Sequence, residues 1–249
     1  MQEIPRHWPL RPPDTPITVL AHRGLVGPAR ENTLEAFGDA IAAGAEGVEL
    51  DVRLSASRTP VVLHGAEVPG LGLVEQLEDA ELPGWLPTLS DALAVCASGV
   101  VDVEIKASAA DPADAVESRG RVVAELVAGA VGVPGGPARV VVSSFWPAAL
   151  RAARSQRPEL TTGLLVWPAQ EAAAGLALAD ELGAAVLLPF RAQVDAALVR
   201  LAHERGQAVW AWTVNDEDDL RSALEAGVDA IISDELGRAR SMLREHVPR

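Results

Sequence analysis

Along nearly its whole length the chain alternates short, β-branched apolar runs with longer segments of helical period, and no other feature limits its fold as tightly. The runs centre near residues 18, 49, 103, 141, 164, 187, 210 and 231, and the helical segments recur about every 25–30 residues. Such alternation implies a parallel sheet, because parallel strands need long crossover connections. Eight units within 249 residues favour closure into a TIM (β/α)8 barrel over an open doubly wound sheet. Gly183, Gly206 and Gly227 stand where helical segments end, and Asn32 or Thr33 is placed to cap the first helix. Two stretches escape the alternation. Residues 1–16 are Pro-rich and read as an irregular N-terminal cover, and residues 65–88 read as a Gly- and Pro-rich excursion out of the sheet. An extra β-run at 59–63 leads into the excursion and ends at His64.

The second run, Gly-Val-Glu-Leu-Asp-Val-Arg-Leu at 47–54, is unusual for a barrel strand. Side chains alternate along a strand, so Glu49, Asp51 and Arg53 share one face and Val48, Leu50 and Val52 the other. Two carboxylates about 7 Å apart resist burial unless a cation holds them. The stretch alone therefore reads either as an exposed acidic edge or as a cation site. Barrel enzymes carry their chemistry at the C-terminal strand ends. That rule gathers His22, Arg23, Glu49, Asp51, Glu104, Lys106, Ser143, Ser144, Trp212 and Asn215 on one rim, with His64 beside them. Asp102 shares the Glu104 face one layer deeper and reads as a buried hydrogen-bonding group.

Composition narrows the chemistry. The formal charge of −14 argues against non-specific binding of nucleic acid or anionic membranes. No run approaches the 18 apolar residues of a membrane span, so no stable membrane insertion is expected and the expected location is cytoplasmic. The single cysteine, Cys96, reads as a small buried hydrophobe. Of 21 basic residues only Lys106 is lysine, which marks a place where a compact ammonium replaces the planar guanidinium used elsewhere. No G-x-G-x-x-G or G-x-x-x-x-G-K-[ST] pattern supports nucleotide cradling. Glu49, Asp51 and Glu104 suit one hard divalent cation, Mg2+ or Ca2+, better than zinc. His22 and His64 suit general acid–base work, and Arg23 and Lys106 suit phosphate oxygens.

The segments Ala-His-Arg-Gly (21–24), Glu-Asn-Thr-Leu-Glu-Ala-Phe (31–37), Gly-Val-Glu-Leu-Asp-Val (47–52), Val-Val-Leu-His (61–64), Val-Glu-Ile-Lys (103–106) and Ala-Trp-Thr-Val-Asn (211–215) together resemble the glycerophosphodiester phosphodiesterases. The resemblance implies one domain over residues 1–249, a TIM barrel with a small insertion after the second strand at about 56–88. It implies a metal on Glu49, Asp51 and Glu104, an acid/base pair of His22 and His64, and phosphate held by Arg23 and Lys106. The implied reaction cleaves a small phosphodiester to glycerol 3-phosphate and an alcohol such as choline. Lysophospholipase D-type activity is the nearest alternative. Trp212 is a candidate pocket residue, though Trp210 and Trp212 also suit barrel filling. The chain departs from the family pattern at Gly65, where Asp is usual, and in the turn Ser-Arg-Thr-Pro at 57–60, where Asp-Gly is usual. Two rival readings are a Schiff-base lyase using Lys106 and a barrel that binds phosphodiesters without turnover.

Overall fold

The computed structural model describes residues 9–12, 15–25, 27, 30–132, 136–137 and 139–246. His7 and part of the expected N-terminal cover lie outside the described residues. Eight parallel strands close into a barrel: β1 (Thr18–His22), β2 (Gly47–Leu54), β3 (Val100–Ile105), β4 (Arg139–Ser144), β5 (Thr161–Leu165), β6 (Val186–Leu188), β7 (Ala208–Ala211) and β8 (Ala230–Ser233). Closure comes from β1, which pairs with β8 through Thr18↔Ala230 and with β2 through Leu20↔Gly47. Among the described residues eight α-helices alternate with these strands, from Leu34–Ala42 to Leu236–His246. None of them is long and apolar enough to cross a membrane.

The two faces of the strands have different neighbours. Val48, Leu50 and Val52 join the main core with helix residues such as Phe37 and Leu93, whereas Leu20, Val141, Leu188, Trp210 and Ile232 cluster separately. Glu49 and Asp51 therefore turn away from the helices, and β2 is a central strand, not an acidic edge. Its register sets Glu49 beside Asp102 and Asp51 beside Glu104 on β3. Cys96 is buried, and burial pushes its thiol up to about 12.

The excursion after β2 has its own small structure. Pro60–Val62 runs back antiparallel to β2, pairing Val61 with Arg53, and a hairpin of Glu67–Val68 with Gly72–Leu73 follows. Val61, Val68, Val74 and Leu86 form a separate apolar cluster beneath it. At the opposite end of the barrel the described part of the N-terminal segment acts as a cover. Buried Asp229 accepts from the Arg11 N–H at 2.7 Å and the Val209 N–H at 2.8 Å, and lies 2.8 Å from His203 Nε2. His203 is thus a structural residue.

Candidate active site

Of the expected rim residues, His22, Arg23, Glu49, His64, Glu104, Lys106 and Trp212 line one cavity of about 520 Å3 at the C-terminal strand ends, whereas Asp51, Ser143, Ser144 and Asn215 do not reach its surface. Glu49, Asp51 and Glu104 are buried, and each offers an oxygen within 4.8 Å of the others. Lys106 Nζ lies 2.8 Å from Asp51 Oδ1 and 2.7 Å from Glu104 Oε1. Arg23 Nε lies 3.1 Å from Asp51 Oδ2, and Asn32 Nδ2 donates to the same oxygen at 2.7 Å. Burial alone would raise the Asp51 carboxyl, but Lys106 and Arg23 hold it below the usual range. Glu49 differs. Burial, reinforced by Asp51, Glu104 and Asp102, pushes it well above the usual range, and Glu49 Oε1 has no hydrogen-bond partner. Burial also leaves Glu104 raised despite Lys106. Three buried carboxylates thus share too little positive charge, and an all-oxygen donor set with an orphaned oxygen fits a hard divalent cation.

His22 ends β1. Its Nδ1 is 2.6 Å from Asp234 Oδ1, and its Nε2 is 3.8 Å from Glu49 Oε2. The His22 hydrogen bond keeps Asp234 below the usual carboxylate range, so Asp234 is ionised and accepts. His22 Nδ1 therefore donates to Asp234. Asn215 fixes the far side of the pair, donating from Nδ2 to Asp234 Oδ2 at 2.7 Å and accepting the Asp234 N–H at 2.9 Å. The chain then turns sharply. Arg23 adopts φ 58, a left-handed conformation that costs a non-glycine residue roughly 1–2 kcal/mol. Gly24 follows at φ 86, where an added Cβ would meet the Ala36 backbone at 2.7 Å. This turn hydrogen-bonds the Arg23 N–H to the Glu49 carbonyl at 3.0 Å and sends the guanidinium to Asp51 and to Glu31 Oε2 at 3.0 Å.

His64 stands on the other side of the cavity, and Arg53 has a clear role there. Its Nε and Nη2 donate to the His64 carbonyl at 3.1 and 3.0 Å. Partial burial lowers the His64 imidazole below its ordinary pKa, and Lys106 and Arg23 push the same way against the pull of Asp51. Gly65 carries no side chain to orient its neighbour, so the Arg53 fork supplies that restraint. Arg53→Gln is expected to lower kcat by about 10–100-fold, the scale of a misplacement near 1 Å, with KM little changed. Steady-state kinetics check this, and a KM-only effect would refute it.

Several participants carried no local signal. Asn32 competed with Thr33 as a helix cap. Thr33 takes that role, accepting from the Ala36 N–H at 3.3 Å, and Asn32 is free to bind Asp51. Asp234 follows the last strand beside Glu235, with no motif to mark it. Asp102 is buried beside Ser143, and burial pushes its carboxyl up to about 8 although a hydrogen bond with Ser143 lowers it. Trp212 does line the cavity, along with Phe145, Trp146 and Trp167, whereas Trp210 fills the barrel. Ser144 donates to the Ile105 carbonyl at 2.8 Å, a packing role.

The model of the glycerophosphoryl diester phosphodiesterase family matches residues 22–238. A glycerophosphodiester phosphodiesterase from Caldanaerobacter subterraneus is 29% identical over 237 residues, covering 87% of this chain and 93% of its own. A Silicibacter pomeroyi protein assigned as a glycerophosphoryl diester phosphodiesterase superposes with a TM-score of 0.81 at 26% identity, over 95% of both chains. An Oleispira antarctica phosphodiesterase, solved with its product sn-glycerol-3-phosphate, superposes with a TM-score of 0.78 at 27% identity, over 92% of this chain and 97% of that one.

Proposed function

This chain belongs to the glycerophosphoryl diester phosphodiesterase family, and from that premise we propose that it hydrolyses glycerophosphodiesters to glycerol 3-phosphate and an alcohol in a reaction that depends on a divalent cation and on His22 and His64. The observation that carries this reading is the buried, under-neutralised carboxylate triad facing two histidines and two cationic side chains on one rim. Glu49, Asp51 and Glu104 would hold Mg2+ or Ca2+, which when bound neutralises charge on the phosphoryl oxygens.

The remaining work falls to the chain's own groups. Lys106 and Arg23 provide fixed positive charge beside the phosphate. His22 Nε2, with Nδ1 anchored on Asp234, accepts the proton of the attacking hydroxyl, either water, which gives glycerol 3-phosphate directly, or the substrate's own glycerol hydroxyl, which gives a cyclic phosphate that water then opens to glycerol 3-phosphate. His64 delivers a proton to the leaving oxygen as the phosphorus–oxygen bond breaks, so the alcohol departs neutral. His64 is lowered in the free protein, and the approaching phosphodiester anion favours its charged form. The Schiff-base reading of Lys106 has less support. Burial would lower its ammonium, but Glu104 and Asp51 reverse that and leave it raised, and a protonated amine is no nucleophile.

The test is glycerol 3-phosphate release from glycerophosphocholine before and after chelation. Stripping divalent ions is expected to cut turnover by on the order of 10²–10³-fold, with recovery on adding Mg2+ or Ca2+. Unchanged turnover after chelation, or in Glu49→Gln, would overturn the metal assignment. Cation binding without hydrolysis of any phosphodiester would favour the non-catalytic barrel.

A further inference from the structure

Aromatic residues are scarce in this chain, with six Trp, three Phe and no Tyr. Five of these nine, Phe145, Trp146, Trp167, Phe190 and Trp212, stand just beyond the C-terminal ends of β4 to β7. All but Phe190 line the active-site cavity. The rings interlock. Phe145 stacks on Trp167 with centroids 4.0 Å apart and meets Trp212 edge-on at 5.4 Å, and Phe190 meets Trp212 at 5.4 Å. Trp212 Nε1 donates to the Leu188 carbonyl at 2.9 Å, which fixes the ring and occupies its only donor. Trp167 nevertheless stays 47% exposed, an unusual amount of open indole for a ring so well supported.

Charge is divided across the same cavity. Its basic lining residues, Arg23, Arg53 and Lys106, come from the β1–β3 side. On the β4–β7 side the lining residues are the aromatics with Leu165 and Thr213, none of them charged. A phosphate therefore has its place on one side, and on the other the cavity lining offers ring faces and no charged side chain. The cluster already accepts a cation at its outer edge, where the Arg191 guanidinium lies 4.6 Å over the Phe190 ring.

We propose that this wall is a subsite for a quaternary ammonium on the alcohol half of the substrate, so that the diester favoured by this chain is a zwitterion of the choline type. The proposal rests on the hydrolysis reading above and adds its specificity. Ring faces attract a weakly hydrated trimethylammonium through their quadrupoles, whereas a saturated acyl chain needs only apolar area, which aliphatic side chains supply equally well.

The experiment compares kcat/KM for glycerophosphocholine, for its uncharged 3,3-dimethylbutyl isostere and for glycerophosphoglycerol, in the wild type and in Trp167→Ala. The wild type is expected to favour the choline diester over the isostere by roughly 2–30-fold, a cation–π preference. Trp167→Ala is expected to shrink that ratio toward one. Its loss with the choline diester should exceed its loss with glycerophosphoglycerol. Equal rates for choline diester and isostere in the wild type overturn the proposal in favour of plain apolar contact. Equal losses on all three diesters mean that the wall holds the glycerol half. A loss confined to lysophosphatidylcholine, added as a fourth substrate, means that it holds an acyl chain. If no diester turns over, the hydrolysis reading fails. Calorimetric binding of the choline diester against its isostere then decides the subsite independently, and equal affinities overturn it.

Discussion

His22→Ala is expected to lower kcat for glycerophosphodiester hydrolysis by about 10²–10⁴-fold, the contribution of one positioned acid–base group, with KM close to the wild-type value. The fold should survive. The His22 ring is partly open to the cavity, and its one close polar partner, Asp234, keeps a hydrogen bond from Asn215 when the imidazole is gone. The companion variant Asp234→Asn separates a positioning role from bulk loss. A carboxamide in place of the carboxylate can accept from Nδ1 or donate to it, and donation moves the proton to Nε2, where it disables the base. In a serine-protease triad the same exchange costs about 10⁴-fold. A merely structural role for Asp234 would lower stability and leave the pH profile of kcat unchanged. A tautomer role predicts that this profile changes while stability is kept. Retention of more than a tenth of wild-type turnover in His22→Ala would remove this residue from the mechanism.

The barrel and the buried carboxylate triad were legible in the sequence because each rests on a local period. The strand runs and helical segments could be separated by periodicity alone, and the alternation in 47–54 divided carboxylates from valines before any contact was known. Residues whose roles depend on closure were not legible. His22 meets Asp234 only because β1 pairs with β8, a contact across 212 positions with no local pattern at either end. Arg53 shared a face with the carboxylates but had no visible task. Its partner returns to it through the antiparallel pairing of Arg53 with Val61, a consequence of the excursion after β2. The aromatic wall is drawn from four separate strand ends and leaves no motif.

Lys106→Met should unmask the electrostatic cost of the triad. Lysine and methionine have similar unbranched stems, so packing changes little. The ammonium that lies against Asp51 and Glu104 is lost, and among the described residues Arg23 is then the remaining cation ion-paired with Asp51. Removing one partner of a buried ion pair typically costs 3–5 kcal/mol, because the other charge stays buried and unpaired. A loss of about that size is expected in urea denaturation of the metal-free protein. Two further readings distinguish this cause from a packing defect. Glu104, already raised by burial, loses the ammonium that opposed that rise, so its carboxyl stays above its unfolded value. The folded state then binds more protons there than the unfolded one, and the variant gains stability as pH falls through that raised value, where a depressed carboxyl would lose it. Mg2+ or Ca2+ at about 100 times its Kd should also return roughly 2.7 kcal/mol, since a cation that binds only the folded state stabilises it by mass action. A variant whose stability matches the wild type, or whose loss ignores both pH and divalent ions, would mean that the carboxylates are solvated and that the under-neutralised centre is not what drives cation binding.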